Sequence, residues 1–166
     1  MVKSDNKIYQ AIAALPSKDP CFSLGICCNA DEVTALDFLP AQNAMAPKTA
    51  LAAEVVRQLN AYLHNPSFSF ALPLQPQGTF FQRKVWQAIA GIPGGETRSY
   101  AALATALHSG PRAVGGACGA NPYPLLIPCH RVIASGGGLG GFSRNGGEWL
   151  LDIKRWLLAH EGPRPA

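Results

Sequence analysis

Cys129, His130 and Arg131 stand in succession between Ile127-Pro128 and Val132, so a thiol, an imidazole and a guanidinium are set side by side within an apolar segment. The chemistry open to such a trio is nucleophilic. An unperturbed thiol with a pKa near 8.5 is only about 3% thiolate at pH 7, so a working nucleophile needs a neighbouring base or positive charge. Pro128 fixes its own φ and biases Ile127 towards extended geometry, which stiffens the approach to Cys129. In a strictly extended chain adjacent side chains point to opposite faces, so His130 reaches Cys129 only through a local turn or a bridging water. The competing reading is a buried structural cysteine, since free Cys is among the most buried residue types. Cys129, His130 and Glu161 can also be drawn as the acyl-transfer triad of a cysteine hydrolase.

The elements that must position these groups fall into two sets. Residues 8–15, 22–29 and 33–39 read as strands, with turn chemistry at Asn29-Ala30-Asp31. Leu51, Val55, Leu59 and Leu63 then recur every four residues, predicting a helix over 47–63 with Pro47 in its first turn. Pro66, Pro73, Pro76 and Gly78 mark an extended link, which places a domain boundary near Gln75 to Gly78, between domains 1–77 and 78–166. Thr79 and Gln82 form a capping box before the stripe Phe81, Val85, Ile89. Ser99 caps a helix over 100–108, and Pro111 launches another over 112–120, a helix-turn-helix pattern.

That third helix carries Gly115, Gly116 and Gly119, each costing about 1 kcal/mol relative to Ala in a helix interior. Either another helix packs tightly against it, or a ligand approaches closely; the latter would meet a smooth surface formed by Arg112, Ala113, Gly115, Gly116 and Gly119, with Arg112 as its one long cation. A narrow nucleic-acid groove fits the second shape. Beyond Ile133 lies a glycine-rich loop, and a last helix from about Glu148 carries Leu150, Ile153 and Leu157 on one face and ends at His160 and Glu161.

Composition narrows the classes. The chain of 166 residues is 48% hydrophobic, yet no apolar run approaches the roughly 18 residues of a membrane span, and the N-terminus lacks a signal peptide's apolar stretch. A cytoplasmic protein without membrane attachment is expected. Five cysteines without framework spacing imply reduced thiols, and the adjacent pair Cys27-Cys28 lacks the spacing that closes on zinc, so no metal site is expected. Residues 1–79 hold five Lys/Arg against six Asp/Glu and residues 80–166 hold nine against four, giving −1 and +5. The second half therefore suits an anionic partner such as nucleic acid.

Four runs carry a resemblance to a known family. Arg112-Ala113-Val114-Gly115-Gly116-Ala117, then Asn121-Pro122, then Leu126 to Val132, then Trp156 to Gly162 closely resemble the O6-alkylguanine-DNA alkyltransferases, continuously over about residues 78–162. The resemblance implies an α/β fold: a small ribonuclease-H-like α/β domain, then a mainly helical, winged-helix-like domain. It implies a protein, acting as a monomer without cofactor, that takes an alkyl group from O6 of guanine, or O4 of thymine, in double-stranded DNA approached from the minor groove. Cys129 would be the acceptor and the reaction would occur once per chain. His130 resembles a water-linked base, Glu161 the carboxylate that orients it, Tyr100 a phenol that donates to the flipped guanine, and Asn121 a hinge amide. Arg112 resembles a finger entering the base stack; Ala113, Gly115, Gly116 and Arg131 are the other expected DNA contacts. Val132 and Ser143 match positions whose backbone meets the guanine. Phe142 stands where many members have Tyr, and the loop after Ser143 is longer than in those members. Members with Trp in place of the cysteine bind damaged DNA without repairing it; Cys129 is present here, which weighs against the remaining alternative class, a binding-only damage sensor.

Overall fold

Strand β1 (Ala11–Ala14) pairs antiparallel with β2 (Phe22–Cys28), which pairs antiparallel with β3 (Val33–Pro40). The structure, a computed structural model, describes residues 7–15, 19–141 and 147–162. The β2–β3 turn is held by Asn29, whose Oδ1 accepts from the backbone of Asp31 and Glu32, the Asx geometry such turns favour. Helix α1 (Ala50–His64) packs on β1 and β2. Its buried Val55, Leu59 and Tyr62 share that core with Phe22, Leu24, Ile26 and Leu36. The helix begins later than its Pro47 suggested, because Thr49 accepts from the Ala52 amide and so leaves Pro47 and Lys48 outside. Two compact units result, residues 1–75 and 76–166.

The second unit opens with helix α2 (Phe80–Ala90). Its capping box is complete: the Gln82 amide donates to Thr79 and the Thr79 amide donates to Gln82 Oε1. Gly78, at φ +84°, passes so close to the Trp86 ring that a Cβ there would lie 2.6 Å from it. No side chain fits. Strand β4 (Arg98–Ser99) leads directly into α3 (Tyr100–Ala106), capped by Ser99. After a turn, α4 (Pro111–Gly119) begins on its proline. Val85, Ile89, Leu103, Val114 and Val132 form the core that joins these helices. Trp86 donates its indole N–H to the Ala117 carbonyl (2.8 Å), which locks α2 to α4.

The segment carrying the thiol takes the local turn that the sequence left open beside an extended chain. Cys129–Arg131 is one turn of 3-10 helix, closed by the Val132 amide donating to the Cys129 carbonyl, and only Val132–Ile133 (β5) continues as strand, parallel to β4. Helix α5 (Gly147–Glu161) closes the unit. It buries Leu150, Ile153 and Leu157, and with them Lys154.

Candidate active site

Cys129 reaches its place through a short chain of hydrogen bonds that starts at the end of α4. Asn121, two residues beyond the helix, accepts from the Tyr123 amide (2.8 Å), donates to the Ile127 carbonyl (2.9 Å), and donates to Cys129 Sγ (3.2 Å). One amide thus ties α4 to the thiol turn. Cys129, 4% exposed, lines a cavity of about 540 Å³ with Tyr100, Arg112, Gly115, Gly116, Cys118 and Gly140 among its other walls.

The two glycines in that wall resolve a question left open by composition. A Cβ built at Gly115 or Gly116 meets nothing within 4 Å. Helix packing therefore does not require them, and what their small size preserves is the open surface of the cavity. Arg112, Ala113 and Gly116 are exposed along the same helix.

His130 turns away from the thiol. Its side chain is fully buried, and Nε2 lies 2.7 Å from Glu161 Oε1. A carboxylate can only accept, so Nε2 carries the hydrogen and Nδ1 holds the lone pair. Nδ1 is buried without a hydrogen-bond partner. Burial pushes the imidazole down, against the pull of Glu161, so it rests neutral with its basic nitrogen unused. Glu161 is 1% exposed; burial raises its carboxyl, but hydrogen bonds from His130 and Arg131 overcome this and hold it at about 2.

Arg131 is the other half of that pair. Its Nε and one terminal nitrogen bind the two Glu161 oxygens (3.0 and 2.8 Å) and its other terminal nitrogen donates to the Ile92 carbonyl (2.6 Å). All three nitrogens are engaged inside the unit, with 13% of the side chain exposed. These are the partners of a residue that the resemblance places among the DNA contacts. The geometry makes it a counter-ion that fixes Glu161.

Lys154 escaped the sequence reading. Fully buried, its ammonium donates to the carbonyls of Val132 (2.7 Å), Leu139 (2.6 Å) and Gly141 (2.9 Å) and lies 5.7 Å from the centre of the Tyr100 ring. Burial lowers it to about 8, opposed by the Cys118 and Cys129 thiols. The signal was present, since Lys154 sits four residues after Leu150 and three before Leu157, within the apolar face. Tyr100 donates its hydroxyl to the Gly141 carbonyl (3.1 Å), and burial pushes the phenol well up. Gly140, at φ +67°, packs against that ring so closely that a Cβ would come within 2.8 Å. Val132 is enclosed in the core, its amide on Cys129 and its carbonyl on Lys154. Phe142 and Ser143 lie outside the described residues.

The Cys129 thiol is pushed well up, first by a hydrogen bond with Cys118 and then by burial, while Asn121 and Lys154 pull the other way; the same thiol–thiol bond lowers Cys118. A buried thiol that rests protonated, a neutral base with a free lone pair, a phenol over the same cavity and a buried ammonium form an arrangement suited to alkyl or acyl transfer.

Comparison with known proteins narrows this. Residues 80–163 match the family described as 6-O-methylguanine DNA methyltransferase, DNA binding domain. The chain belongs to this family. The methylated-DNA–protein-cysteine methyltransferase of Methanosarcina barkeri is 46% identical over 65% of this chain and 66% of its own length. The Bacillus subtilis constitutive enzyme of that name is 44% identical over 69% of this chain and 72% of its own. The aligned part thus spans about two thirds of the Methanosarcina relative. The crystal structure of Mycobacterium tuberculosis OGT in complex with DNA covers 92% of this chain and 94% of that one, at 34% identity and a TM-score of 0.74. For this family member the mixed α/β fold is therefore shared over nearly the whole chain.

Proposed function

We propose that this chain repairs alkylated DNA by moving the alkyl group from O6 of guanine, or O4 of thymine, onto Cys129. What carries the reading is Cys129 Sγ on the cavity wall with Asn121 donating to it, next to a neutral His130 whose Nδ1 is unpartnered. The relatives' names, methylated-DNA–protein-cysteine methyltransferase, point the same way.

The step is a displacement at carbon. The Cys129 proton passes through a water to His130 Nδ1, the sulfur attacks the alkyl carbon, the carbon–oxygen bond breaks, and the pair left on O6 takes a proton from the Tyr100 hydroxyl. Glu161, fixed by Arg131, stabilises the imidazolium, and Lys154 favours the thiolate and then the phenolate. The product is a thioether, which has no easy route to hydrolysis, so each chain acts once. No cofactor enters.

The exposed face of α4 enters the minor groove of duplex DNA, with Arg112 in the base stack and Ala113, Gly115 and Gly116 against the backbone. Val132, Phe142 and Ser143 belong to the guanine pocket. The protein acts as a cytoplasmic monomer. Its first domain, residues 1–77, is ribonuclease-H-like and its second, residues 78–166, is the winged-helix-like domain that carries the chemistry.

A cysteine hydrolase would need Cys129 and His130 in direct contact, whereas Nε2 is held by Glu161 and Nδ1 has no hydrogen bond to the thiol. Intact-protein mass spectrometry after incubation with duplex DNA bearing O6-methylguanine tests the proposal. One methyl on the Cys129 peptide per chain is expected. Methyl left on DNA, turnover beyond one equivalent, or equal transfer to Cys129→Ala would overturn it.

A further inference from the structure

Cys118 has no part in the transfer just described, yet it occupies the same cavity wall as Cys129. It lies on the last turn of α4 and is 9% exposed. Asn121 links the two, its backbone N–H on the Cys118 carbonyl (3.3 Å) and its side-chain amide on Cys129 Sγ (3.2 Å), and the Lys154 ammonium favours the thiolate of either. Buried structural cysteines are ordinarily inert because they lack access and positive surroundings. This pair has both, because each thiol lines a cavity of about 540 Å³, ample for a peroxide.

We infer that Cys118 is a resolving thiol for the acceptor: hydrogen peroxide converts the Cys118 and Cys129 pair in this cavity into a reversible disulfide, which spares Cys129 from irreversible oxidation. Whichever sulfur holds the charge attacks one peroxide oxygen, becoming a sulfenic acid as hydroxide leaves. The other sulfur then displaces that hydroxyl group. The sulfur–sulfur bond forms, the sulfur–oxygen bond breaks, and the protons released complete two waters, so the two electrons lost by the pair are those gained by the peroxide. Closing the bond brings the sulfurs to about 2.05 Å, between side chains that line one cavity wall. Without a partner thiol a sulfenic acid proceeds to sulfinic and sulfonic acids, which thiol reductants do not restore. The disulfide also occupies the lone pair that would take the alkyl group, so repair stops until the bond is reduced. Only this last consequence rests on Cys129 being the acceptor; the cross-link does not.

The full-length protein is treated with hydrogen peroxide, blocked with iodoacetamide and weighed intact without reductant, then digested. A loss of two hydrogen masses is expected, with one cross-linked peptide pair holding residues 118 and 129. Repair of O6-methylguanine duplex DNA should be lost on oxidation and regained with dithiothreitol. In Cys118→Ala the same dose should add oxygen to Cys129, and whatever repair that variant had should not return. Wild-type protein that gains oxygen at Cys129 without the cross-link, or that pairs Cys129 with the exposed Cys21, overturns the inference. So does Cys118→Ala recovering as fully as wild type. If Cys118→Ala does not fold, the wild-type peptide map decides alone. A protein that cross-links as expected but never accepted methyl before oxidation refutes the proposed function and leaves the thiol pair standing.

Discussion

Glu161→Gln keeps the shape of the side chain and removes its charge, so it isolates what the carboxylate does for His130 and Arg131. The carboxyl is held at about 2 against an ordinary value of 4.5. That gap corresponds to about 3 kcal/mol at 1.36 kcal/mol per unit, and removing one partner of a buried pair costs about 3–5 kcal/mol. We expect the variant to unfold about 2–3 kcal/mol more easily at pH 7, the lower end allowing for relaxation around Arg131. The sign with pH follows from the lowered value. A carboxylate with a depressed folded pKa contributes fully above about 4.5 and loses that contribution as pH falls from there towards 2. The stability difference between wild type and Glu161→Gln should therefore shrink as pH falls through that window, read from urea midpoints by circular dichroism at pH 7, 5 and 3. Methyl transfer should slow by about 100-fold, the lower range for a positioned base, because the imidazolium loses its anion. A stability difference that stays constant from pH 7 to pH 3, or an unchanged transfer rate, would refute the coupling of Glu161 to both groups.

Lys154→Met should slow transfer by at least about tenfold, 1.4 kcal/mol of barrier, because the Val132, Leu139 and Gly141 carbonyls lose their donor and the thiolate a buried cation; single-turnover kinetics reads it, and a wild-type rate would confine Lys154 to structure. Arg112→Ala should slow repair of duplex DNA far more than reaction with free O6-benzylguanine, since only the duplex requires a base to be extruded, at a cost of a few kcal/mol. Equal slowing would place Arg112 in the chemistry. Gly116→Leu has room in the free protein, where a Cβ meets nothing within 4 Å, so stability should be unchanged or raised by up to about 1 kcal/mol while duplex DNA affinity falls; undiminished affinity would show that DNA does not approach this face.

Local signals in the sequence were specific where a side chain and its partner lie a few residues apart. The Thr79–Gln82 capping box, the Ser99 cap and the Pro111 helix start each rest on contacts within one turn, and each formed. Even the purpose of the α4 glycines was partly legible, because a helix that forgoes about 3 kcal/mol of propensity must preserve a surface, though only the empty space beyond Gly115 and Gly116 decides which one. Lys154 and Cys118 were not legible in the same way. Their partners are the Leu139 and Gly141 carbonyls and the Cys129 thiol, brought near by loop geometry that no periodicity encodes.

Arg131 makes the physical reason specific. In a strand, residues 129, 130 and 131 would alternate faces, which would put Cys129 and Arg131 on one side and His130 on the other. A 3-10 turn has three residues per turn, so successive side chains swing by about 120°. Cys129 can then face the cavity while His130 and Arg131 both reach Glu161, 31 and 30 residues further along. The choice between the two geometries lies with partners distant in the chain: Glu161 drawing an imidazole N–H and a guanidinium, Asn121 gripping Ile127 and Cys129, and Lys154 holding the Val132 carbonyl. The trio that reads as a nucleophile flanked by two helpers thus becomes a nucleophile on one side and a base with its counter-ion system on the other, which accounts for a thiol able to rest protonated until a substrate enters.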